Sequence, residues 1–377
     1  MLDILLTAAV SFIITFLAIP IILTIADQKK LFDIPDERKL HTHAVASLGG
    51  VGIFAGFVLA ALLAIEVSRS PEFQYYFAAA FVIFFLGLKD DLIVLSATKK
   101  FIGQLIAAAI LIHLGNVRID SMHGFLGIDE LPLAFSYALS YLTIILVINS
   151  FNLIDGVDGL AASLGIMTML VFGTYFYMAE NNAYALLSYA MCGSLVAFLI
   201  FNHHPAKIFM GDSGSLMIGL VASILVIRFI NVASVPGIKV PVTSVVAVGI
   251  SVLFLPLADT LRVFAIRIFN GRSPFTPDRN HIHHLLLARG LNHAAVTLVC
   301  LSVNIAFLML TWSARSLGST IVLIGMASLA LSGIGCLYYL RPRKGMVITR
   351  DRSGMTELKT PSKVVTLVHE TVNPENN

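Results

Sequence analysis

Charged residues are scarce in this chain. Asp, Glu, Lys and Arg make up 12% of its 377 residues, hydrophobic residues 57%, and the mean hydropathy is +0.88. Soluble globular domains carry about 25% charged residues, so a water-soluble globule is excluded and the chain belongs in a bilayer. Cysteine is scarce too. Cys192, Cys300 and Cys336 all lie inside apolar runs, with neither metal-ligand spacing nor a pairing logic, and they read as small core residues. The first apolar run, 2–25, lacks a basic flank, carries Asp3 instead, and is too long for the core of a signal peptide. It is expected to be a retained transmembrane helix. No internal repeat is evident.

What is abundant is hydrophobic length. A spanning helix needs roughly 20 mostly apolar residues. Eleven runs qualify: 2–25, 48–66, 74–88, 101–115, 133–149, 160–179, 183–202, 214–231, 241–261, 295–313 and 319–340. The count drops to ten if one of the short runs, 74–88 or 101–115, does not cross. The expected fold is therefore an all-α polytopic membrane protein, with a catalytic domain over 1–340 and a polar tail over 341–377. Twenty of the 25 lysines and arginines fall in one alternating set of loops and four in the other, with Arg228 inside a run. Positive residues stay cytoplasmic, so the N-terminus is expected outside and the C-terminus in the cytoplasm. The tail opens with Arg341, Arg343 and Lys344, which suit anionic headgroups.

The few acids are placed unevenly. Asp90-Asp91, Asp155, Asp158, Asp212 and Asp278 sit at the ends of apolar runs and all belong to the cytoplasmic set. A charge in or near hydrocarbon costs about 2.5–3.5 kcal/mol on insertion scales, which makes such residues functional candidates. In Asn149-Ser-Phe-Asn152-Leu-Ile-Asp155-Gly-Val-Asp158-Gly159-Leu160 the polar residues recur every third position and would share one helical face. Carboxylate and amide oxygens suit Mg²⁺, with substrate phosphate completing its shell. Gly156 and Gly159 would leave room beside them. Asp90-Asp91 could take a metal or serve as a base, with Lys99, Lys100 and Gln104 following. Asp212, flanked by Gly211 and Gly214, is equally legal as a helix cap and as a metal contact.

Two loops are basic. In Asp33-Ile-Pro35-Asp36-Glu-Arg38-Lys39-Leu-His41, followed by Gly49-Gly50-Val-Gly52, cations and an approachable helix start could meet a phosphate. The alternative is a solvated loop obeying the positive-inside rule. The longest loop ends Pro277-Asp278-Arg279-Asn280-His281-Ile-His283-His284. Its arginines and imidazoles together favour an anion such as a diphosphate over zinc, for which the loop supplies no cysteine. Asp259 reads as a structural partner of Arg262, and His203-His204 carry no assigned role.

Taken together, from Asp33 to His284, these motifs resemble the polyprenyl-phosphate N-acetylhexosamine-1-phosphate transferase family. The stretch Ser273-Pro-Phe-Thr-Pro-Asp-Arg-Asn-His-Ile-His-His284 is similar to its WecA/TagO branch rather than to the phospho-MurNAc-pentapeptide transferases of peptidoglycan synthesis. The resemblance implies Mg²⁺-dependent phosphoryl transfer, with Mn²⁺ as an allowed substitute. Undecaprenyl phosphate would attack the β-phosphate of a UDP-N-acetylhexosamine, most often UDP-GlcNAc, and release UMP. It implies Asp158 and Asp212 at the metal, and Asp90 and Asp91 at the lipid phosphate and its deprotonation. Asp155 completes the catalytic candidates. Asn149, Asn152, Lys99, Arg38, His41, Arg279, His281, His283 and His284 are the candidate substrate contacts. Membrane lipids are expected partners, nucleic acid is not, and the family allows a homodimer. The expected location is the inner membrane, with the site on its cytoplasmic face.

Two other classes are weaker. An intramembrane prenyltransferase wants aspartates every fourth residue, yet Asp90-Asp91 is followed by Leu92-Ile-Val-Leu95. A transporter with a cytoplasmic-face cation site wants charges near midplane and repeated halves, and only Arg228 lies inside a run.

Overall fold

The computed structural model describes residues 1–31, 45–271, 281–339, 347–350, 356–360 and 363–367. The chain divides into two compact units, Met1–Leu329 and Ala330–Asn377. In the first, each apolar run is helical: α1 (Leu2–Lys29), α2 (Gly49–Ala64), α3 (Phe73–Leu92), α4 (Ala97–Ala109, continued by a π-helical turn over Ile110–Leu114), α5 (Leu133–Ile154), α6 (Leu160–Met178), α7 (Asn182–Asn202) and α8 (Gly211–Val232). Then come α9 (Val245–Val252), α10 (Phe254–Phe269), the short α11 (Ile282–Leu287), α12 (His293–Ala314) and α13 (Ser319–Tyr339), which runs into the second unit. A small hairpin, β1 (Ser121–Phe125) and β2 (Ile128–Glu130), precedes α5.

The protein is a polytopic all-α membrane protein. Among the described residues, eight helices are long and apolar enough to cross a bilayer, and the α9–α10 pair makes a ninth if it counts as one span. The other two expected spans are α2, apolar but short at 16 residues, and α3, which ends in Lys89-Asp90-Asp91. The expected straight span over 241–261 is instead bent by 83° between α9 and α10. A break exposes backbone groups that hydrocarbon cannot satisfy, so a protein partner has to do it. Asn304 of α12, fully buried, accepts from the Leu255 N–H at 2.8 Å and donates to the Val252 carbonyl at 3.1 Å.

The second unit holds the end of α13 and three antiparallel strands, β3 (Val347–Arg350), β4 (Thr356–Thr360) and β5 (Lys363–Leu367), paired in that order. The sequence reading assigned no secondary structure to this polar tail.

In the first unit α8 is the hub, packed against α2, α3, α5, α6, α7 and α9. Its side chains from Ser213 to Ile227 are all buried. The segment entering α8 pairs with the segment entering α2. Phe209 N donates to Ala46 O at 2.8 Å, Gly49 N to Phe209 O at 2.9 Å, and Gly50 N to Met210 O at 2.8 Å. These bonds use the first N–H groups of α2, the helix start that could have met a phosphate. Gly50 there admits the backbone of α8, while Gly49 packs on Phe198 and Phe209 and Gly52 on Ile19. A Cβ on Gly50 would sit 2.2 Å from Gly214 N, and one on Gly87 of α3 would sit 2.5 Å from Ser213 N.

Gly50→Ala should therefore force α2 and α8 apart and cost about 1–3 kcal/mol, as overpacking does. The check is thermal unfolding in detergent. Gly325→Ala, at a position with nothing within 4 Å, is the control and should not lower the transition.

Candidate active site

Four chain segments converge at the start of α8. The end of α3 brings Asp90 and Asp91, α4 brings Lys100 and Gln104, α5 brings Asn149 and Asn152, and α8 begins with Gly211-Asp212-Ser213. Lys100 bridges Asp90 Oδ2 and Asp212 Oδ2, the latter at 2.7 Å. Asn152 Nδ2 donates to Asp212 Oδ1 at 2.8 Å and to Ser215 Oγ at 3.1 Å. Asn149 and Gln104 exchange amide hydrogen bonds at 2.8 and 3.3 Å, which ties α5 to α4 one turn from Lys100. Asp90 Oδ1 also accepts from Leu95 N at 2.6 Å, folding the α3–α4 turn over it.

The sequence reading took Lys99 as a candidate substrate contact. Lys99 is exposed, and it is Lys100, about 100° further round the helix, that reaches the carboxylates. The adjacent acids also part company. Asp91 turns away from Lys100 and accepts from Asp212 N at 2.6 Å, Ser213 N at 3.1 Å and Ser213 Oγ at 2.6 Å.

The three-residue rhythm of Asn149, Asn152, Asp155 and Asp158 survives only as far as the helix does. α5 ends at Ile154, and Gly159 at φ +77° starts α6 from a left-handed conformation. Asp158 therefore leaves the shared face. Its Oδ2 lies 2.7 Å from His204 Nδ1 and 3.2 Å from His293 Nδ1, and it also accepts from Ala206 N at 3.3 Å. Asn202 holds this loop by accepting from Gly159 N at 2.9 Å and donating to Ile208 O at 2.8 Å. Burial would raise the Asp158 carboxyl, but hydrogen bonds with His293 and His204 hold it at about 2. His204 and His293 were missed by the sequence reading, because three separate segments meet here. The only available signal was a histidine pair beside Pro205.

Asp158 and Asp212, expected to share a metal, have different partners: Lys100 and Asn152 meet Asp212, and His204, His293 and Ala206 meet Asp158. The three ligand atoms of Asp158, His204 and His293 lie within 4.8 Å of one another, a donor set that suits an ion such as Zn²⁺. The oxygen-rich surroundings that Mg²⁺ prefers lie around Asp212. Asp155 stands between the two groups. Burial, then the charges of Asp212, Asp91 and Asp158, push its carboxyl up to about 8. Burial and the neighbouring carboxylates both disfavour its ionised form, and a divalent cation bound there would favour it.

The histidine loop docks on this acidic turn. Asp259 of α10 accepts from Ile282 N at 2.9 Å, lies 2.8 Å from His281 Nδ1, and pairs with Arg262 at 3.0 Å. It is the structural partner expected, and it also orients His281 and caps α11. His281 and His283 are 4% and 1% exposed. His283 Nε2 occupies the space beside Gly156, where a Cβ would lie 2.5 Å away. The room expected there for a metal is filled by an imidazole. Burial, then His284, push His283 down to about 3, so it is neutral at pH 7 and brings no positive charge to a diphosphate. His284 is the least buried of the three. Arg38, His41, Asp278 and Arg279 lie outside the described residues.

The glycosyl transferase family 4 profile matches residues 73–230, the stretch from the start of α3 nearly to the end of α8. A probable undecaprenyl-phosphate N-acetylglucosaminyl 1-phosphate transferase of Bacillus subtilis is 34% identical over 79% of this chain and 82% of its own. The chain belongs to glycosyl transferase family 4. A decaprenyl-phosphate N-acetylglucosaminephosphotransferase of Mycolicibacterium smegmatis is 34% identical over 80% of this chain and 79% of its own. An undecaprenyl-phosphate alpha-N-acetylglucosaminyl 1-phosphate transferase of Yersinia pestis is 30% identical over 69% and 70%. The family assignment drawn from the motifs agrees with all three.

Two outcomes test this geometry. Asp155 is raised from an unfolded value of about 3.9, so the folded state keeps a proton that the unfolded state loses. Without divalent metal, its contribution to stability should fall as pH rises from about 4 to about 8 and then level off. Asp155→Asn should flatten that part of the profile, read by thermal unfolding across pH. Separately, Gly156→Ala should displace α11 and lower turnover, and adding His283→Ala should restore part of it. A double variant no better than Gly156→Ala alone would disprove the docking.

Proposed function

We propose that this protein transfers N-acetylglucosamine 1-phosphate from UDP-GlcNAc to undecaprenyl phosphate at the cytoplasmic face of the inner membrane. The product would start a lipid-linked cell-envelope glycan. The observation that carries this reading is the Asp90–Lys100–Asp212–Asn152 array at a half-buried helix start, on a chain whose relatives bear the names of such transferases.

The reaction forms one bond and breaks one. An oxygen of the lipid phosphate bonds to the β-phosphorus of the nucleotide sugar, the bond from that phosphorus to the oxygen bridging to the α-phosphate breaks, and UMP leaves with that oxygen. A phosphate monoester is already largely ionised near neutrality, its second pKa being about 6, so no strong base is required. Catalysis then rests on positioning and charge neutralisation.

Asp212, with Asn152 and Asp155 beside it, would hold Mg²⁺, with Mn²⁺ as a substitute. The ion would supply positive charge to the diphosphate. Asp158, tied to His204 and His293, would shape the turn that carries Asp155. Lys100 is placed to exchange a carboxylate partner for a phosphate oxygen, and Asp90 to keep it oriented meanwhile. The α11 histidines would close the nucleotide-sugar side together with Arg279, while Arg38 and His41 would add phosphate contacts. The excess of Lys and Arg in the loops bearing these residues supports the cytoplasmic orientation.

The test is UMP release by the purified protein in detergent with undecaprenyl phosphate, Mg²⁺ and a panel of UDP-N-acetylhexosamines. UMP should appear only with lipid and metal, and fastest from UDP-GlcNAc. UMP without lipid, or from no donor, would overturn the reading. Asp212→Asn and Lys100→Met should each lower kcat by at least about 100-fold, the scale of losing one positioned charge at a transition state. Near-normal rates in Asp212→Asn at low Mg²⁺ would disprove the metal assignment.

A further inference from the structure

The two adjacent acids at the end of α3 have different partners, and the difference separates their roles. Asp90 meets Lys100 and, across it, Asp212. Asp91 meets only the start of α8 among the contacts described, through three hydrogen bonds of 2.6 to 3.1 Å from Asp212 N, Ser213 N and Ser213 Oγ. The first N–H groups of any helix have no partner inside it, and an anion there is favoured by the helix dipole. α8 supplies no side-chain cap of its own. Its N-terminus is half-buried at Gly211 and Asp212 and fully shielded from Ser213 on, so water is a poor substitute there. Asp91 fills the role from another helix.

The surroundings are shaped for this contact. Gly211, at φ +73°, is the residue a Cβ would push to 2.7 Å from both Asp91 oxygens. Gly87, one turn before Asp91 on α3, is where a Cβ would meet the backbone of Ser213 at 2.5 Å. α3 and α8 are thus held backbone to backbone, and the carboxylate closes the remaining gap. Because Asp212 donates its own N–H to Asp91, the direction of the Asp212 side chain toward Lys100 and Asn152 depends on that bond.

We infer that Asp91 is a positioning residue, an acid that caps α8 from α3 and so aims Asp212, and is neither a proton acceptor for the lipid phosphate nor a metal ligand. This inference rests on the reading that Asp212 holds the divalent cation. It divides the Asp90-Asp91 pair into an acid that faces the chemistry and one that holds it in place.

The experiment is a Mn²⁺ titration of the full chain in detergent, followed by electron paramagnetic resonance, on wild type, Asp212→Asn, Asp91→Asn and Ser213→Ala. Asp212→Asn should abolish the site. Asp91→Asn should weaken Mn²⁺ about tenfold, the low end of the loss for a residue that orients a ligand. Ser213→Ala should shift it the same way by less, and the double variant should be no weaker than Asp91→Asn. The pH profile of UMP release should keep its shape in Asp91→Asn, while the Mg²⁺ needed for half-maximal rate rises. Mn²⁺ binding abolished in Asp91→Asn as in Asp212→Asn, binding unchanged in it, or a shifted pH profile would each overturn the inference. Mn²⁺ unaffected by Asp212→Asn would overturn the metal assignment as well. If Asp91→Asn does not fold, Ser213→Ala, which removes one hydroxyl, still decides: unchanged affinity there overturns the inference.

Discussion

The start of α8 enters the bundle half-buried and is fully shielded from Ser213 on, and its unpaired N–H groups need acceptors where water is scarce. This requirement organises the site. One carboxylate from α3 meets two of those groups, and glycines on α2 and α3 let backbone approach backbone. The strand-like segment before α8 pairs with the segment before α2, so both helices enter the bundle in fixed register. A carboxylate at position 212 then emerges in one direction, facing Lys100 and Asn152.

Electrostatics follows from that packing. Four of the acids are satisfied in three different ways. Asp90 and Asp212 share a lysine, Asp91 has the end of a helix, and Asp158 has two histidines. Asp155 has its carboxyl raised first by burial and then by the charges of Asp212, Asp91 and Asp158. A cluster with one acid in excess is suited to gaining and losing a cation, whereas a fully paired cluster would be inert.

The last third of the first unit reaches the same place by a longer route. The break between α9 and α10 redirects the chain, with Asn304 satisfying the freed backbone groups. α10 then carries Asp259, which fixes His281 and the start of α11, and α11 lays His283 against Gly156. A histidine more than a hundred residues away in sequence thus becomes a wall of the acidic turn. Its neutrality follows from that burial.

The sequence by itself determined the membrane class, the helical runs and the family, because hydrophobic length and motif order are local properties of the chain. It also brought these acids into view, since a carboxylate beside hydrocarbon is conspicuous wherever the helix ends. Pairings were beyond its reach. Lys100 in place of Lys99 depended on where helix phase meets neighbouring helices. The departure of Asp158 from the Asn149–Asn152 face depended on where α5 stops, and Gly50 at the start of α2 turned out to admit α8. His204 and His293 gained meaning only when three segments met at Asp158. A hydrogen bond between distant segments leaves no periodicity and no spacing to read, so only the tertiary structure could decide which acid meets Lys100 and which one caps a helix.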